Sequence, residues 1–323
     1  MTFTKENTRY CLLAFAEWQN VWAQGYQNEN NASISGLWQW HKVFKGALDF
    51  PRSPEDFDKY NLIHLNITPN NLHIIPRLFK NINRNKTKVI FNVDYAIDLW
   101  THNFKDVDIF LQEIDRADYI FSVEDVQAQF IAHILKRPVA CIPHPVDTEA
   151  VIKFRTDDRK PHVGIMVHRY DSNFLLPYYA IKNLDRSKWI THLFGGSCKY
   201  EEVGHLYDRI IKHETFPDMM KATAELIVAI DSYTCHSYGR WSAECAVLGI
   251  PCIGSPRVTS IKRCFPDITA EMTQPKVIEH LLNELLNNMS FYKSICHYAM
   301  NASKYYSYDN CRKMMLDFLN LPN

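Results

Sequence analysis

Residues 234–244 contain the side chains and the backbone pattern best suited to bind an activated phosphate ester. Gly239 closes a run of small and polar residues, and Arg240 and Glu244 follow it within about one helical turn. A helix N-terminus offers unpaired N–H groups and a partial positive charge to an anion. Arg240 would add a charge-assisted donor, and the Glu244 carboxylate can accept hydrogen bonds from a ribose diol. The stretch predicts a phosphate and ribose site that includes Tyr238, Gly239, Arg240 and Glu244.

A strand, a turn, a helix and a second strand must position this site. The apolar run 227–230 is short and is followed by Asp231, as is typical of a strand buried in a parallel sheet. Apolar residues recur at helical spacing over 241–248, and Gly249 and Pro251 then end the helix. In open α/β sheets, ligands bind beyond the carboxyl ends of the strands, so the turn before the helix is the expected binding position.

The same stretch resembles the Glu-x7-Glu signature of the retaining glycosyltransferases that use nucleotide sugars and have the GT-B fold. The family pattern is Glu, Gly, an aromatic residue, Gly, three or four residues, Glu, and then Gly-x-Pro before the next strand. The corresponding residues here are His236, Gly239, Glu244, Gly249 and Pro251. The resemblance implies that Glu244 binds the ribose and that His236, which replaces the first Glu, lies at the transferred sugar. The chain is identified as a divergent member of this family.

Two further segments carry the resemblance. Residues 143–147 resemble the family's Ile-Pro-Asn-Gly-Val-Asp segment, with Pro143, Val146 and Asp147 in matching positions. Arg169 follows the predicted strand 163–167, where the family has an arginine that clamps the donor diphosphate.

The second cation of that clamp is a lysine in the family, but Phe174 occupies its position here. Arg240 is therefore predicted to supply the second positive charge. Gly195 ends the predicted strand 189–194, where a small residue permits close approach of the backbone to the donor.

The resemblance implies an α/β fold of two Rossmann-like domains whose parallel sheets face a cleft. The predicted domains are an acceptor-binding domain at 1–150, a nucleotide-sugar-binding domain at 151–295, and a C-terminal helix at 296–323 that packs back toward the first domain. The charged segment 148–161 is predicted to be the linker. Hydrophobic spacing also predicts helices over 37–48 and 290–318.

Polar residues follow two predicted strands of the first domain. Asn66 and Thr68 follow the strand at 62–65, and Asn92 and Asp94 end the strand at 89–93. The carboxyl ends of parallel strands meet at one edge, so these side chains are expected to lie close together. Asp94 is predicted to be an acceptor-side base or a sugar contact, and the loop at 24–36 lies where a GT-B acceptor loop would be, although an ordinary surface connection fits it equally well.

The composition of the chain indicates which partners and which cellular compartment fit it. Lys plus Arg and Asp plus Glu both total 36, so the formal charge is zero and no global field favours nucleic acid or an anionic membrane. The 9 cysteines are scattered without a Cys-x-x-Cys pair, which indicates a reducing compartment. No apolar run approaches the roughly 20 residues that span a bilayer, so a cytoplasmic location is predicted.

No metal site or cofactor is predicted. The sequence has no His-x-x-x-His pattern, and its Asp-x-Asp segments at 56–58 and 106–108 do not follow predicted strands. Glycosyltransferases of the other main fold hold the diphosphate through a metal on that motif, whereas GT-B enzymes use a helix dipole and basic side chains. The only small molecule implied is the donor substrate, a nucleotide diphosphate sugar.

One local charge pattern stands out in the first domain. No acidic residue occurs from Lys59 to Val93, while cations are frequent there. The cations that could contact an anionic surface are Arg77, Lys80, Arg84, Lys86 and Lys88. The run fits a solvated helix face, and it also fits contact with an anionic membrane or a nucleic-acid backbone.

These features together predict a metal-independent glycosyltransferase, either a hexosyl- or a pentosyltransferase. By resemblance, it moves a sugar from a nucleotide diphosphate sugar to an acceptor hydroxyl with retention of configuration. The acceptor is a glycan, a lipid or a nucleic acid. The alternatives are a DNA-modifying glycosyltransferase acting on a hydroxymethylated base, a nucleotide-sugar epimerase, and an inactive nucleotide-sugar-binding protein.

Overall fold

The structure is a computed structural model of the 323-residue chain. It describes residues 9–13, 39–44, 47–49, 57, 59–68, 72, 75–94, 104–167, 175–194, 204–211 and 215–320. The chain divides into two compact units, one formed by Met1–Pro145 with Tyr308–Asn323 and the other by Val146–Ser307. Each unit contains a parallel sheet.

The sheet of the first unit has six strands in the order β2-β1-β3-β4-β5-β6. They are β1 (Tyr10–Leu13), β2 (Ala47–Asp49), β3 (Leu62–Ile67), β4 (Lys88–Val93), β5 (Tyr119–Ser122) and β6 (Ala140–Cys141). Every neighbouring pair is parallel. All six residues of β3 are buried, as expected for a central strand covered on both faces.

The sheet of the second unit has five strands in the order β11-β10-β7-β8-β9. They are β7 (His162–Met166), β8 (Ile190–Phe194), β9 (Arg209–Ile211), β10 (Leu226–Asp231) and β11 (Cys252–Gly254). Their pairings are also all parallel. The sequence predicted the apolar core of β10 correctly, and the structure extends this strand to Asp231 at its carboxyl end.

The α-helices among the described residues connect or cover these strands. They are α1 (Gln39–Val43), α2 (Ile75–Asn81), α3 (Phe104–Ile114), α4 (Asp125–Leu135), α5 (Thr148–Ile152), α6 (Leu175–Ile181), α7 (Phe216–Ala224), α8 (Arg240–Leu248), α9 (Thr259–Cys264), α10 (Pro275–Asn287), α11 (Met289–Ala302) and α12 (Tyr308–Phe318). The last helix belongs to the first unit, where Phe318 packs edge-on against Tyr119 and the Tyr308 hydroxyl bonds to Gln39.

Three element boundaries differ from the sequence predictions. The helix expected at 37–48 is α1, which ends at Val43, and the chain then pairs with the edge of the sheet as β2. The helix expected at 290–318 is two helices, because the chain turns through a 3₁₀ segment (Ser303–Tyr306) and becomes extended at Ser307. The predicted linker includes α5, whose N-terminus is capped by Asp147 through a 3.0 Å bond from the Ala150 N–H.

The two sheet faces of the first unit differ in polarity. One face forms an apolar cluster that includes Ile63, Leu65, Phe91 and Val93. The opposite face of β3 and β4 carries His64, Asn66 and Asn92, all of which are buried. Burying polar groups is unfavourable unless they are hydrogen-bonded, so the polar residues of this face are unusual for the interior of a sheet.

His192 on β8 is predicted to make folding pH-dependent. Its side chain is buried, its ring lies 4.4 Å from that of His162, and neither of its ring nitrogens has a hydrogen-bond partner. Burial, with a smaller effect of His162, lowers the pKa of His192 to about 4, whereas an unfolded histidine titrates near 6.5. As the pH falls from 6.5 to 4, the unfolded chain binds the proton first, so stability decreases, by about 3 kcal/mol in total.

Urea unfolding of the wild type and of His192→Leu across this range measures the effect. We expect the free energy of unfolding of the wild type to fall more steeply with decreasing pH than that of the variant. Parallel curves for the two proteins would show that His192 is not responsible.

Candidate nucleotide-sugar site

The residues predicted to bind phosphate lie where β10 leads into α8. Gly239 is the N-cap of α8, has a φ of 74°, and no side chain caps the helix. A Cβ at this position would lie 2.1 Å from Val258 Cγ1 and 2.4 Å from Ser260 Oγ, so both the backbone conformation and the space require glycine. The N–H groups of the first turn consequently donate no hydrogen bond to a capping side chain.

Backbone hydrogen bonds hold the turn before α8 in place. The Thr259 N–H donates to the Ser237 carbonyl at 2.9 Å, and the Ser260 N–H donates to the Tyr238 carbonyl at 3.1 Å. The Gly239 carbonyl accepts from the hydroxyls of Ser260 (2.6 Å) and Ser242 (3.0 Å). These bonds fix the turn against the start of α9, so the N-terminus of α8 has a defined position.

Glu244 is completely buried in α8. Its Oε1 accepts a 2.7 Å hydrogen bond from Arg240 Nε, while its Oε2 has no partner. Burial raises the pKa of Glu244, and the neighbouring Arg240 opposes that shift. A buried carboxylate oxygen without a partner is unfavourable, so Oε2 is the atom of Glu244 that a further hydrogen-bond donor would stabilise.

Arg240 occupies a different position from the one that its charge suggested. The sequence analysis expected its guanidinium to meet a diphosphate, but the side chain turns along α8, pairs with Glu244 and lies 5.7 Å from the ring centroid of Phe216. The i, i+4 spacing on one helix face brings the two charges together. The structure therefore links Arg240 directly to the carboxylate predicted to bind ribose.

The remaining predicted residues of this site divide into two groups. His236 and Tyr238 lie in the turn before α8, where His236 is half-buried and the buried Tyr238 packs 5.5 Å from Tyr306. Arg169 and Gly195 lie outside the described residues. The same is true of Phe174 and of the predicted loop at 24–36.

In the first unit, Asp94 immediately follows β4 at the carboxyl edge of the sheet. Asn92 precedes it by two residues and donates a 3.0 Å hydrogen bond from Nδ2 to Oδ1 of Asn66, its register partner on β3. The sequence analysis correctly placed Asn66 and Asn92 together. It did not associate Asp94 with His144, whose Nε2 lies 3.3 Å from Asp94 Oδ2.

Sequence reasoning also missed Glu124, which follows β5 and caps α4. Its carboxylate oxygens accept from the N–H groups of Val126 (2.9 Å) and Gln127 (2.7 Å). Burial is the largest cause that raises the pKa of Glu124 to about 7, although the two N–H groups oppose it. The strand-end rule that identified Asp94 would have identified Glu124, because it lies two residues after Ser122, where β5 ends.

The cation run of the first unit is partly neutralised. Arg84 and Lys88 lie 3.0 Å and 2.9 Å from the carboxylate of Asp118. Asp118 precedes β5, which pairs with β4, so the sheet brings its charge to a segment that lacks acidic residues. Arg77, Lys80 and Lys86 are exposed.

Comparison with known proteins gives matches in structure alone. No protein-family model and no curated protein matches the sequence. HepE from Anabaena, solved with UDP and glucose, superposes with a TM-score of 0.73 over 97% of this chain and 100% of its own, at 10% identity. An E. coli structure bound with UDP-2-fluoro glucose has a TM-score of 0.68, with 97% and 99% coverage at 9% identity.

A third match is a structure of trehalose-6-phosphate synthase. That structure was solved to study glycosyl transfer with retention, by means of bisubstrate glycomimetics. Its TM-score is 0.70, with coverage of 98% of this chain and 100% of its own, at 8% identity. The chain has the GT-B fold. This result confirms the fold predicted from the sequence and is consistent with a divergent GT-B member.

Two properties of the described part of this GT-B chain bear on what it can bind. Its histidine, cysteine and acidic side chains form no cluster of three that could hold a metal ion. None of its helices is both long and apolar enough to cross a bilayer.

We predict that the GT-B chain tolerates alanine far less at Gly239 than at Gly249. Both glycines have positive φ, and alanine in that region is unfavourable by about 1–2 kcal/mol. At Gly239 the methyl group would also overlap Val258 and Ser260, which adds about 1–3 kcal/mol, whereas at Gly249 the closest atom is the flexible sulfur of Met300 at 3.1 Å. Urea unfolding should therefore show the larger loss for Gly239→Ala, and equal losses would contradict the crowding at the N-cap.

Proposed function

We propose that this chain is a glycosyltransferase that moves a sugar from a UDP-sugar to an acceptor hydroxyl with retention of configuration. The observation that carries the proposal is the pairing of an N-terminus of α8 that no side chain caps with the buried Glu244, whose Oε2 has no partner. These groups match the two ends of a nucleoside diphosphate, because N–H groups bind phosphate and a carboxylate accepts from the ribose hydroxyls. The GT-B neighbours solved with UDP and UDP-glucose support the choice of nucleotide.

The second unit would bind the donor. The diphosphate lies at the N–H groups of 240–242, and the ribose hydroxyls donate to Glu244 Oε2. Arg169 contributes positive charge to the diphosphate, and Gly195 permits close approach of the backbone. Arg240 stabilises the Glu244 carboxylate, which its buried position alone would disfavour. The N-terminus of α8 and Arg169 would meet the charge of the diphosphate without a metal.

The chemical step would be a front-face substitution at the anomeric carbon, because retention in one step requires the acceptor oxygen to bond on the face from which the diphosphate leaves. The acceptor oxygen forms a bond to this carbon, the bond from the carbon to the diphosphate oxygen breaks, and its electron pair leaves with UDP. The hydroxyl proton passes to the carboxylate of Asp94, and His236 donates a hydrogen bond to the transferred sugar or its phosphate. Stabilisation of the leaving diphosphate is the largest contribution, and removal of one such contact typically reduces the rate by about 10²–10³.

The acceptor class remains a glycan, a lipid or a nucleic acid. A DNA-modifying activity would use the exposed cations Arg77, Lys80 and Lys86, since Arg84 and Lys88 are paired with Asp118. A nucleotide-sugar epimerase would rearrange the donor without an acceptor, and a binding protein would retain UDP without turnover. Incubation of the protein with UDP-sugars alone and with candidate acceptors separates these outcomes.

Glu244→Gln is predicted to weaken UDP binding with little effect on the fold. The glutamine amide keeps the shape of the side chain but removes the charge that the ribose hydroxyls and Arg240 contact, which is worth about 1.5–3 kcal/mol, or roughly 10–150-fold in affinity. Isothermal titration calorimetry with UDP measures the change.

Glu279→Gln on α10 is the matched control, because Glu279 contacts Asn183 on the surface and should not affect affinity. UDP binding of equal strength in wild type and Glu244→Gln would remove Glu244 from the site. If the wild type binds no uridine, guanosine or adenosine diphosphate in a thermal-shift screen, the proposed function itself fails.

Asp94→Asn is predicted to lower kcat about 10²–10⁴-fold while the affinity for UDP remains unchanged. The amide keeps the size of the side chain but cannot receive the acceptor proton, and general-base catalysis typically contributes that factor. Release of UDP from UDP-glucose, with water or an added acceptor, gives the rate. An unchanged kcat would exclude Asp94 as the base.

A further inference from the structure

The carbonyl oxygen of Gly239 is bound from two directions. The Ala243 N–H donates to it at 3.2 Å, which is the ordinary first bond of a helix. The Ser260 hydroxyl donates to the same oxygen at 2.6 Å from α9, 21 residues further along the chain. Ser260 is completely buried, so water does not compete for this bond. The shorter of the two bonds therefore comes from outside α8.

The glycine leaves this peptide plane without a constraint of its own. Gly239 has a φ of 74° and a ψ of 69°, and Val258 and Ser260 leave no space for a Cβ there. Glycine adopts positive and negative φ about equally readily, so the residue that the crowding requires is also the one that resists rotation least. The orientation of the peptide between Gly239 and Arg240 therefore depends on what binds the Gly239 oxygen.

The position of that oxygen sets the direction of the N–H on the same peptide. The described residues contain no cis peptide bond, and in a planar trans peptide the C=O and the N–H point in opposite directions. A bond that draws the Gly239 oxygen toward Ser260 therefore turns the Arg240 N–H toward the N-terminal end of α8. The proposed function places the diphosphate at this end.

The Ser242 hydroxyl supports Ser260 from within α8. Its Oγ lies 2.6 Å from Ser260 Oγ, 3.0 Å from the Gly239 oxygen and 3.2 Å from Asp231 Oδ2. A hydroxyl has one proton to donate. With the Ser260 proton on the Gly239 oxygen, the proton in the short contact between the two serines comes from Ser242. Hydrogen bonds in such a series polarise one another, so Ser242 strengthens the bond that Ser260 makes.

We propose that Ser260 is a positioning residue for the donor diphosphate. Its hydroxyl fixes the peptide plane at which α8 begins, and it thereby aims the N–H groups of the first turn at the phosphates without touching the donor. The proposal rests on the proposed function and deepens it, because it names the residue on which the phosphate part of the affinity depends. The ribose part depends on Glu244, which has no hydrogen bond to Ser260.

A comparison of UDP with uridine separates the two parts. In Ser260→Ala the Kd of UDP should rise about tenfold, because the N–H groups are no longer aimed at charged oxygens. The Kd of uridine, which has the ribose but no phosphate, should stay within twofold of the wild type. Titrations of the full chain followed by NMR measure both values, since they reach millimolar Kd. An unchanged Kd for UDP, or an equal loss for both ligands, would overturn the proposal.

The hold of Ser260 on the carbonyl can be measured without a ligand. The ¹³C carbonyl resonance of a peptide moves upfield when a hydrogen bond to its oxygen is lost. We expect this shift for Gly239 in Ser260→Ala, and a resonance that stays at its wild-type position would refute the proposal.

Ser242→Ala provides a second test if Ser260→Ala does not fold. It removes the hydroxyl that supports Ser260 but keeps the bond from Ser260 to the Gly239 oxygen. The Kd of UDP should rise about threefold, and the Kd of uridine should not change. Equal changes for the two ligands, or no change for UDP, would count against Ser260 as the positioning residue.

Ser303→Ala is the matched control, because it removes a buried hydroxyl that donates to the Met300 carbonyl at 2.8 Å, outside the turn before α8. Both Kd values should equal those of the wild type, and a tenfold loss of UDP affinity would contradict the proposal. Glu244→Gln should weaken both ligands, because both carry the ribose. If the wild type binds neither ligand, the proposed function fails and this proposal fails with it. A loss in Glu244→Gln without one in Ser260→Ala refutes this proposal alone.

Discussion

The close approach of Gly239 to Val258 and Ser260 is the constraint on which the candidate site depends. Because there is no room for a side chain at the N-cap, α8 begins without a capping side chain and its first N–H groups are not satisfied by one. Serine hydroxyls bind the Gly239 carbonyl and hold this arrangement. The structure thus fixes a set of N–H donors in position, and an anion bound there would lose less entropy than one bound at a flexible site.

Glu244 is a second group that the fold holds in position, and it carries a buried charge. A carboxylate buried at this depth is unfavourable unless it is paired, and one pairing with Arg240 satisfies only one of its oxygens. Residues with unsatisfied buried polar atoms are expected where a ligand completes the hydrogen bonding. The first unit also buries polar groups, because His64 and Asn92 on one face of its sheet each have a buried atom without a hydrogen-bond partner.

Part of this description could be predicted from the sequence because it depends on local pattern. Neighbouring residues alone predict three features: the short apolar run of β10, Gly239 at the N-cap of α8, and Gly249 at the end of α8. The strand-end rule likewise brought Asn66, Asn92 and Asp94 to one edge. The GT-B fold itself was expected from the resemblance of residues 143–147 and 236–251 to the glycosyltransferase family, and not from the order of the strands.

What the sequence could not reveal depends on contacts between distant segments. Asp118 neutralises Arg84 and Lys88 only because β5 pairs with β4, and Trp40 meets His144 only in the folded sheet. The partner of Arg240 could not be predicted for a different reason. Its spacing from Glu244 was visible in the sequence, but its partner could have been either a phosphate or the Glu244 carboxylate. Burial decided between them, since the carboxylate lies in the interior where an unpaired charge is unfavourable.

A crystal structure of the full chain with UDP tests the central claim most directly. The account predicts the diphosphate at the N–H groups of 240–242 and a ribose hydroxyl within hydrogen-bonding distance of Glu244 Oε2. A uridine nucleotide bound elsewhere on the chain, with Glu244 Oε2 still unpaired, would contradict it.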